Sequence, residues 1–262
     1  APSGYTVARE STNNNQGFET CTRTFYQDNS ELSRSNDYVG SQLAESIEVF
    51  NPTSQPTPTN GTAVLGNTSS SNVDGIPTTR YTFLVPSILS QSEDKIGSQL
   101  AITIEAFDEV PATPLGYDLA NTQVSDVEGI VTRRYTFLKP SVLSRSEDKV
   151  GSQLAINIEA FNEVPSTPTG YSLANTQVSD VEGIATNRYT FLKPSVLSRS
   201  EDLVGSQLAI TIEAFDEVPS TPAGYNLANT QVSNVEGITT NRYTFLKPSV
   251  LSRSEDKIGS QL

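Results

Sequence analysis

The chain has 262 residues, of which 35% are hydrophobic, with no histidine, methionine or tryptophan, one cysteine, and a net charge of −13 at neutral pH. Without histidine there is no usual general base, no imidazole metal ligand and no Ser-His-Asp arrangement. The acidic balance leaves no basic stripe for nucleic acid or an anionic membrane, Cys21 alone makes an intramolecular disulfide impossible, and no stretch approaches the ~20 apolar residues of a membrane-spanning helix.

Along the chain the dominant signal is repetition. Residues 1–60 form a divergent first unit carrying Asn13-Asn14-Asn15-Gln16 and Cys21, which reads as a small buried or half-exposed side chain. Its later part, Val39-Gly40-Ser41-Gln42-Leu43 with Glu48-Val49-Phe50, already matches Val150-Gly151-Ser152-Gln153-Leu154 with Glu159-Ala160-Phe161. Residues 51–60 are rich in Pro and Thr and read as an extended linker, the joint expected to bend. Repeats then follow at 61–115, 116–169, 170–223 and 224–262, the last one incomplete. Gly116–Thr169 and Gly170–Ala223 differ at seven positions. Measured on the glycine of Gly-Ser-Gln-Leu, the step from Gly40 to Gly97 is 57 residues, and those to Gly151, Gly205 and Gly259 are 54 each. A unit of this size is marginal alone and needs neighbours to bury its apolar face.

Within one repeat, Tyr171 to Val178 has the Tyr, Thr and Val content of a strand, and Asp180-Val181-Glu182-Gly183 reads as its turn into Ile184. Arg188-Tyr189-Thr190-Phe191-Leu192 predicts a second strand that ends by Pro194. Ser198-Arg199-Ser200-Glu201 has capping-box spacing, so a single helical turn competes with a hairpin bent at Glu201-Asp202. Leu208 to Phe215 alternates, placing Leu208, Ile210, Ile212 and Ala214 on one face and Ala209, Thr211, Glu213 and Phe215 on the other. Ile210, Ile212, Ile156 and Ile158 are expected in the core. Glu217 to Gly224, with two prolines, reads as the boundary between modules. Leu262 occupies the position of Leu208, so the strongest strand of the fifth unit is expected to follow it.

Recurring carboxylates, Asp180 with Glu182 and Glu201 with Asp202, raise a paired-acid glycosidase and a calcium site as alternatives. Each pair recurs without a unique pocket-forming segment, and the spacing lacks the ligand density of a calcium loop. They read as solvated turn acids; no catalytic, cofactor or metal residue is assigned. Arg188, Tyr189 and Phe191 fit either a repeated weak binding site or a packed strand in which Arg188 pairs with Glu213 or Glu201. An enzyme needs one asymmetric constellation, whereas near-identical tandem units supply length, valency or a uniform surface.

The expected fold is all-β: about five small modules of ~54-residue period in a rod or fibre. With its near-identical units, Thr/Ser/Asn-rich surfaces and Pro/Thr linkers, the chain resembles bacteriophage tail fibres and other virion structural proteins. That resemblance implies a non-enzymatic spacer or surface decoration on a virion or its tail, used in host attachment. A bacterial surface adhesin or extracellular filament subunit, carbohydrate-binding through repeated weak sites, is the alternative. The expected partners are further copies of the chain, with a trimer favoured, other virion or surface structural proteins, and a host surface glycan. Nucleic acid and membrane insertion are not expected.

Overall fold

A computed structural model describes residues 1–248, and among these every regular element is a β-strand. The residues fall into two compact units, Ala1–Lys95 with Leu100–Leu138, and Ile96–Gln99 with the chain from Lys139 onward.

In the first unit β1 (Tyr5–Asn15) and β2 (Phe18–Gln27) form a two-stranded hairpin. Next come β3 (Glu31–Val39), β4 (Gln42–Val49), β5 (Val64–Val73) and β6 (Ile76–Leu84), in the spatial order β3-β4-β6-β5. The same order recurs in β7 (Ser87–Ile96), β8 (Gln99–Phe107), β9 (Asp118–Val127) and β10 (Ile130–Leu138), as β7-β8-β10-β9. The second unit contains β11 (Ser141–Val150), β12 (Gln153–Phe161), β13 (Ser172–Val181) and β14 (Ile184–Leu192), ordered β11-β12-β14-β13. Its other sheet is β15 (Ser195–Val204), β16 (Gln207–Phe215), β17 (Asn226–Val235) and β18 (Ile238–Leu246), ordered β15-β16-β18-β17. The chain is thus a tandem all-β array, as its alternation and period imply.

Two kinds of hairpin build each sheet, and the sequence dictates both. The β13–β14 turn has positive φ at Glu182 and at Gly183, as a two-residue type I′ turn requires, and Asp180 Oδ1 accepts the Gly183 N–H at 2.9 Å. The β15–β16 turn has positive φ at Gly205 alone, matching type II′. No helical turn forms at Ser198–Glu201, and the chain does not bend at Glu201-Asp202. Both acids lie inside β15, paired with Ile210 and Ala209, and the bend falls at Gly205-Ser206. The polar run looks like a helix cap because a bulge at Leu197, between Val196 and Ser198, breaks the alternation that would mark a strand.

The proline-rich segments also take a different place from the one expected. Glu217 to Gly224 links β16 to β17, and residues 51–60 link β4 to β5, so each lies within a single sheet and spans the intervening strand. Pro111, Pro165 and Pro219 are buried, and Tyr117, Tyr171 and Tyr225 at the crossover ends pack on the sheet core. Successive sheets are instead joined by two residues, Val85-Pro86 or Lys193-Pro194. The sheets therefore start half a period away from Gly116, Gly170 and Gly224.

The core face carries Ile156, Ile158, Ala160, Tyr189 and Phe191 in one sheet and Ile210, Ile212, Ala214, Tyr243 and Phe245 in the next. Leu208 shares that face but lies at the strand end, 48% exposed. Cys21 is exposed on the first hairpin, neither buried nor half-exposed as its residue type suggested. The fifth repeat beyond residue 248, and the strand expected after Leu262, lie outside the described residues.

Candidate functional site

The arrangement that recurs most faithfully is the contact between consecutive sheets, built from Gly-Ser-Gln and a bulged leucine. In the first unit the Ser41 N–H donates to the Leu89 carbonyl at 2.9 Å. In the second, the Ser98 N–H donates to the Leu143 carbonyl at 3.0 Å and the Ser152 N–H to that of Leu197 at 3.2 Å. A bulge turns one carbonyl out of its own ladder, and here Leu143 and Leu197 are the bulged residues whose carbonyls receive the next turn. The glutamine amide adds a second bond, Gln42 Nε2 to Ile88 O at 3.2 Å and Gln153 Nε2 to Val196 O at 3.4 Å.

Glycine is required here twice over. Gly151 has φ 57°, and a Cβ on it would stand 3.0 Å from the Leu197 carbonyl oxygen. Beneath the polar contact lies an apolar plug: Val39, Ala44 and Leu84 against Leu89, Phe107 and Ile130 in the first unit. Val150, Ala155 and Leu192 meet Leu197, Phe215 and Ile238 in the second. Phe215 and Ile238 sit on the face opposite Ile212, so each sheet uses one face for its own crossover-covered core and the ends of the other for its neighbours.

In the middle of that second face lies a buried carboxylate. Glu159 accepts hydrogen bonds from Ser179 Oγ and Thr186 Oγ1, both at 3.2 Å, and from Arg188 Nε at 2.6 Å. Glu213 repeats this with Ser233, Thr240 and Arg242, Glu105 with Ser125, Thr132 and Arg134, and Glu48 in part with Thr78 and Arg80. Arg188 thus pairs with the glutamate of the preceding strand pair, not with Glu213 or Glu201. Tyr189 and Phe191 are buried in the core rather than offered to a ligand. Among the described residues no buried side-chain nitrogen or oxygen lacks a partner, and no cluster of three or more His, Cys, Asp or Glu could hold a metal ion.

No known protein family matches the chain, and neither the curated proteins nor the solved structures compared with it give a match.

The first sheet departs from the others at one place. Glu45 stands where Ile102, Ile156 and Ile210 stand in the later sheets, and it accepts the Thr59 N–H at 2.7 Å and hydroxyl at 2.6 Å, together with Arg34. Burial pushes the Glu45 carboxyl up, but the Thr59 hydroxyl, the Thr59 N–H and Arg34 together outweigh it and hold the group below the usual carboxylate range. A cleft of about 660 Å³ opens beside it, lined by Arg34, Leu43, Thr59, Asn60 and Phe83. The donors and acceptors nearest it are already spent on one another, so the arrangement clips the longer first crossover onto β4.

The acidic pairs singled out by sequence have separate structural roles. Asp180 closes its turn and Asp202 Oδ1 accepts the Leu203 N–H at 2.7 Å, while Glu201 meets Arg199 at 3.6 Å on an exposed strand. As sequence, Gly-Ser-Gln marks the period and does not by itself name its partner. The signal that it is a contact was present: Gly and Ser stay fixed beside a position that changes from Lys149 to Leu203 two residues earlier.

Proposed function

We propose that the chain is a structural protein of a virion appendage of the tail-fibre type, a repetitive spacer or surface decoration that takes part in host attachment. The observation that carries this reading is the joint: one turn, one bulge carbonyl and one apolar plug recur from sheet to sheet, while no side-chain constellation of the described residues stands apart as a reaction centre. Buried carboxylates that accept from a serine, a threonine and an arginine of neighbouring strands hold those strands together, and their burial denies a substrate the open approach that acid-base chemistry needs. Stacked modules of this kind gain stability from nearest-neighbour contacts, so reach is set by copy number rather than by a larger core. In that role the chain works as a homo-oligomer, with trimers favoured, attached to other structural proteins of the particle and presenting repeated weak contacts to a host glycan.

Immunogold electron microscopy with antibodies against the chain tests the assignment. Label on appendages of virus particles is the expected result. Label on the surface of bacterial cells would move the protein to the adhesin or filament class, and label confined to the cell interior would overturn both.

A further inference from the structure

The two edges of each sheet in the second unit differ in chemistry. One edge is β11 or β15, whose residues include Arg145, Glu147, Asp148 and Lys149, or Arg199, Glu201 and Asp202. Such charge is what blocks an edge from pairing with another chain. The opposite edge is β13 or β17. Ser172–Ser179 carries no charged residue, nor does Asn226–Val235. Each of these strands is hydrogen-bonded on one side only, so its outward N–H and C=O groups are left open by the sheet.

Apolar side chains stand on this charge-poor edge. Val178 is 81% exposed and Val232 74%, with Leu173 and Leu227 about half exposed. Five residues separate Leu173 from Val178, which would put them on opposite faces of a regular strand. The bulge between Leu173 and Asn175 shifts the alternation by one and places both on the same face as their cross-strand partners Phe191 and Asn187; Leu227 and Val232 are treated identically by the bulge after Leu227. The corresponding stretch of the first sheet, Asn67-Thr68-Ser69-Ser70-Ser71, has serine at the valine position. The apolar pair is therefore a property of particular modules and is not demanded by the fold.

We infer that the charge-poor edge formed by β13 and β17 is the surface through which the chain contacts a second copy of itself. Three observations select that occupant. A chain of net charge −13 repels its own copies least where the surface carries least charge, and on this edge Asp180, near the end of β13, is the single charged residue. The Leu-Val pair recurs with a 54-residue step, from Val178 to Val232, and another copy presents the same step, so both modules are satisfied at once. The two strands supply ten residues each, reaching the lower end of the ~20–30 residues a side found in stable interfaces. Outward backbone groups then pair strand to strand across the contact, a recognised mode of assembly. The inference rests on the array reading above and specifies the surface by which copies associate.

Sedimentation velocity of the full chain at micromolar concentration tests it. The unaltered protein is expected to sediment as an oligomer. The double variant Val178→Lys, Val232→Lys should sediment as a monomer with an unchanged β-sheet circular dichroism spectrum. A control pair on the charged edge, Ser144→Lys with Ser198→Lys, should remain oligomeric. Because the lysine pair could perturb folding, a Val178→Cys substitution in a Cys21→Ser background provides a second readout, with interchain disulfide-linked species expected on mild oxidation. A monomeric unaltered chain, an oligomer that survives both lysines, or no cross-linking through residue 178 would each overturn the contact. Immunogold label on particles would still stand in those cases, which separates this failure from failure of the array assignment.

Discussion

Replacing Gly151 by alanine isolates the joint between two sheets. The new methyl group does two things at once: it forces an alanine to φ 57°, and it stands 3.0 Å from the carbonyl oxygen that accepts the Ser152 N–H. Left-handed backbone at an L-residue costs about 1–2 kcal/mol. Losing or lengthening a peptide hydrogen bond adds about 0.5–1.5 kcal/mol. The expected loss for Gly151→Ala is therefore about 1.5–3.5 kcal/mol. Gly170→Ala supplies the control, because Gly170 has φ 77° in the turn closed by the Tyr171 N–H on Pro168 O, but no atom lies within 4 Å of an added Cβ. It should lose only the backbone term, about 1–2 kcal/mol. Urea unfolding of the two variants and the parent, followed by circular dichroism, measures the difference. Stacked modules unfold in parts when a shared contact weakens, so Gly151→Ala should also broaden the transition where Gly170→Ala shifts it intact. Equal losses and equally sharp transitions would refute the claim that Gly-Ser-Gln couples neighbouring sheets.

Three other outcomes follow from the geometry. Ile212→Ala should destabilise by about 2–5 kcal/mol, whereas Leu208→Ala, on the same strand face but half exposed, should change stability by less than about 0.5 kcal/mol; thermal melts of both variants check this. Glu159→Ala strips one acceptor from Ser179, Thr186 and Arg188 together and should lose about 2–3 kcal/mol, with Arg188→Ala losing less because its side chain is 44% exposed; a double-mutant cycle measured by urea unfolding gives their coupling. Glu45 has a folded pKa below its unfolded value, so its contribution is present above the ordinary glutamate value of about 4.3 and is lost as pH falls through the lower folded value. Amide exchange at Thr59 should accordingly speed up, relative to the intrinsic rate, below about pH 4 in the parent, and this acid dependence should vanish in Glu45→Gln.

Strand identity was legible because single residues declare it. The alternation from Ala209 to Phe215 placed Ile210 and Ile212 on the buried face, and Glu182-Gly183 announced a hairpin turn. What stayed hidden has two physical origins. A periodic sequence has no phase, so nothing local says whether a sheet begins at Gly170 or at Ser195. Each sheet takes one hairpin from before a proline-rich segment and one from after it, which is why Arg188 finds Glu159 rather than Glu213. The second origin is the bulge. At Leu197 one extra residue reverses the in-out order, so the segment from Val196 to Asp202 matches neither strand nor helix when read as a uniform pattern. The acceptor side of the joint was hidden for the same reason, since it is the carbonyl that the bulge releases, whereas the unvarying Gly-Ser on the donor side stood in plain view.

The sameness of the joints bears on how such a chain changes over generations. Gly97 and Gly151 carry the same turn, and Leu143 and Leu197 the same waiting carbonyl, so either turn fits either acceptor. Excising residues 116–169 leaves β7 and β8 running straight into the segment that forms β13 and β14, whose sequences differ little from those of β9 and β10. A shortened chain of this kind is expected to fold with its circular dichroism spectrum unaltered in shape, and loss of that spectrum would show the joints are not interchangeable. Unequal crossing-over between the coding copies would then add or remove whole modules without a misfit at either side of the cut. Length in such a molecule is inherited as a number of copies, and it can drift or be selected without any new interface having to be invented.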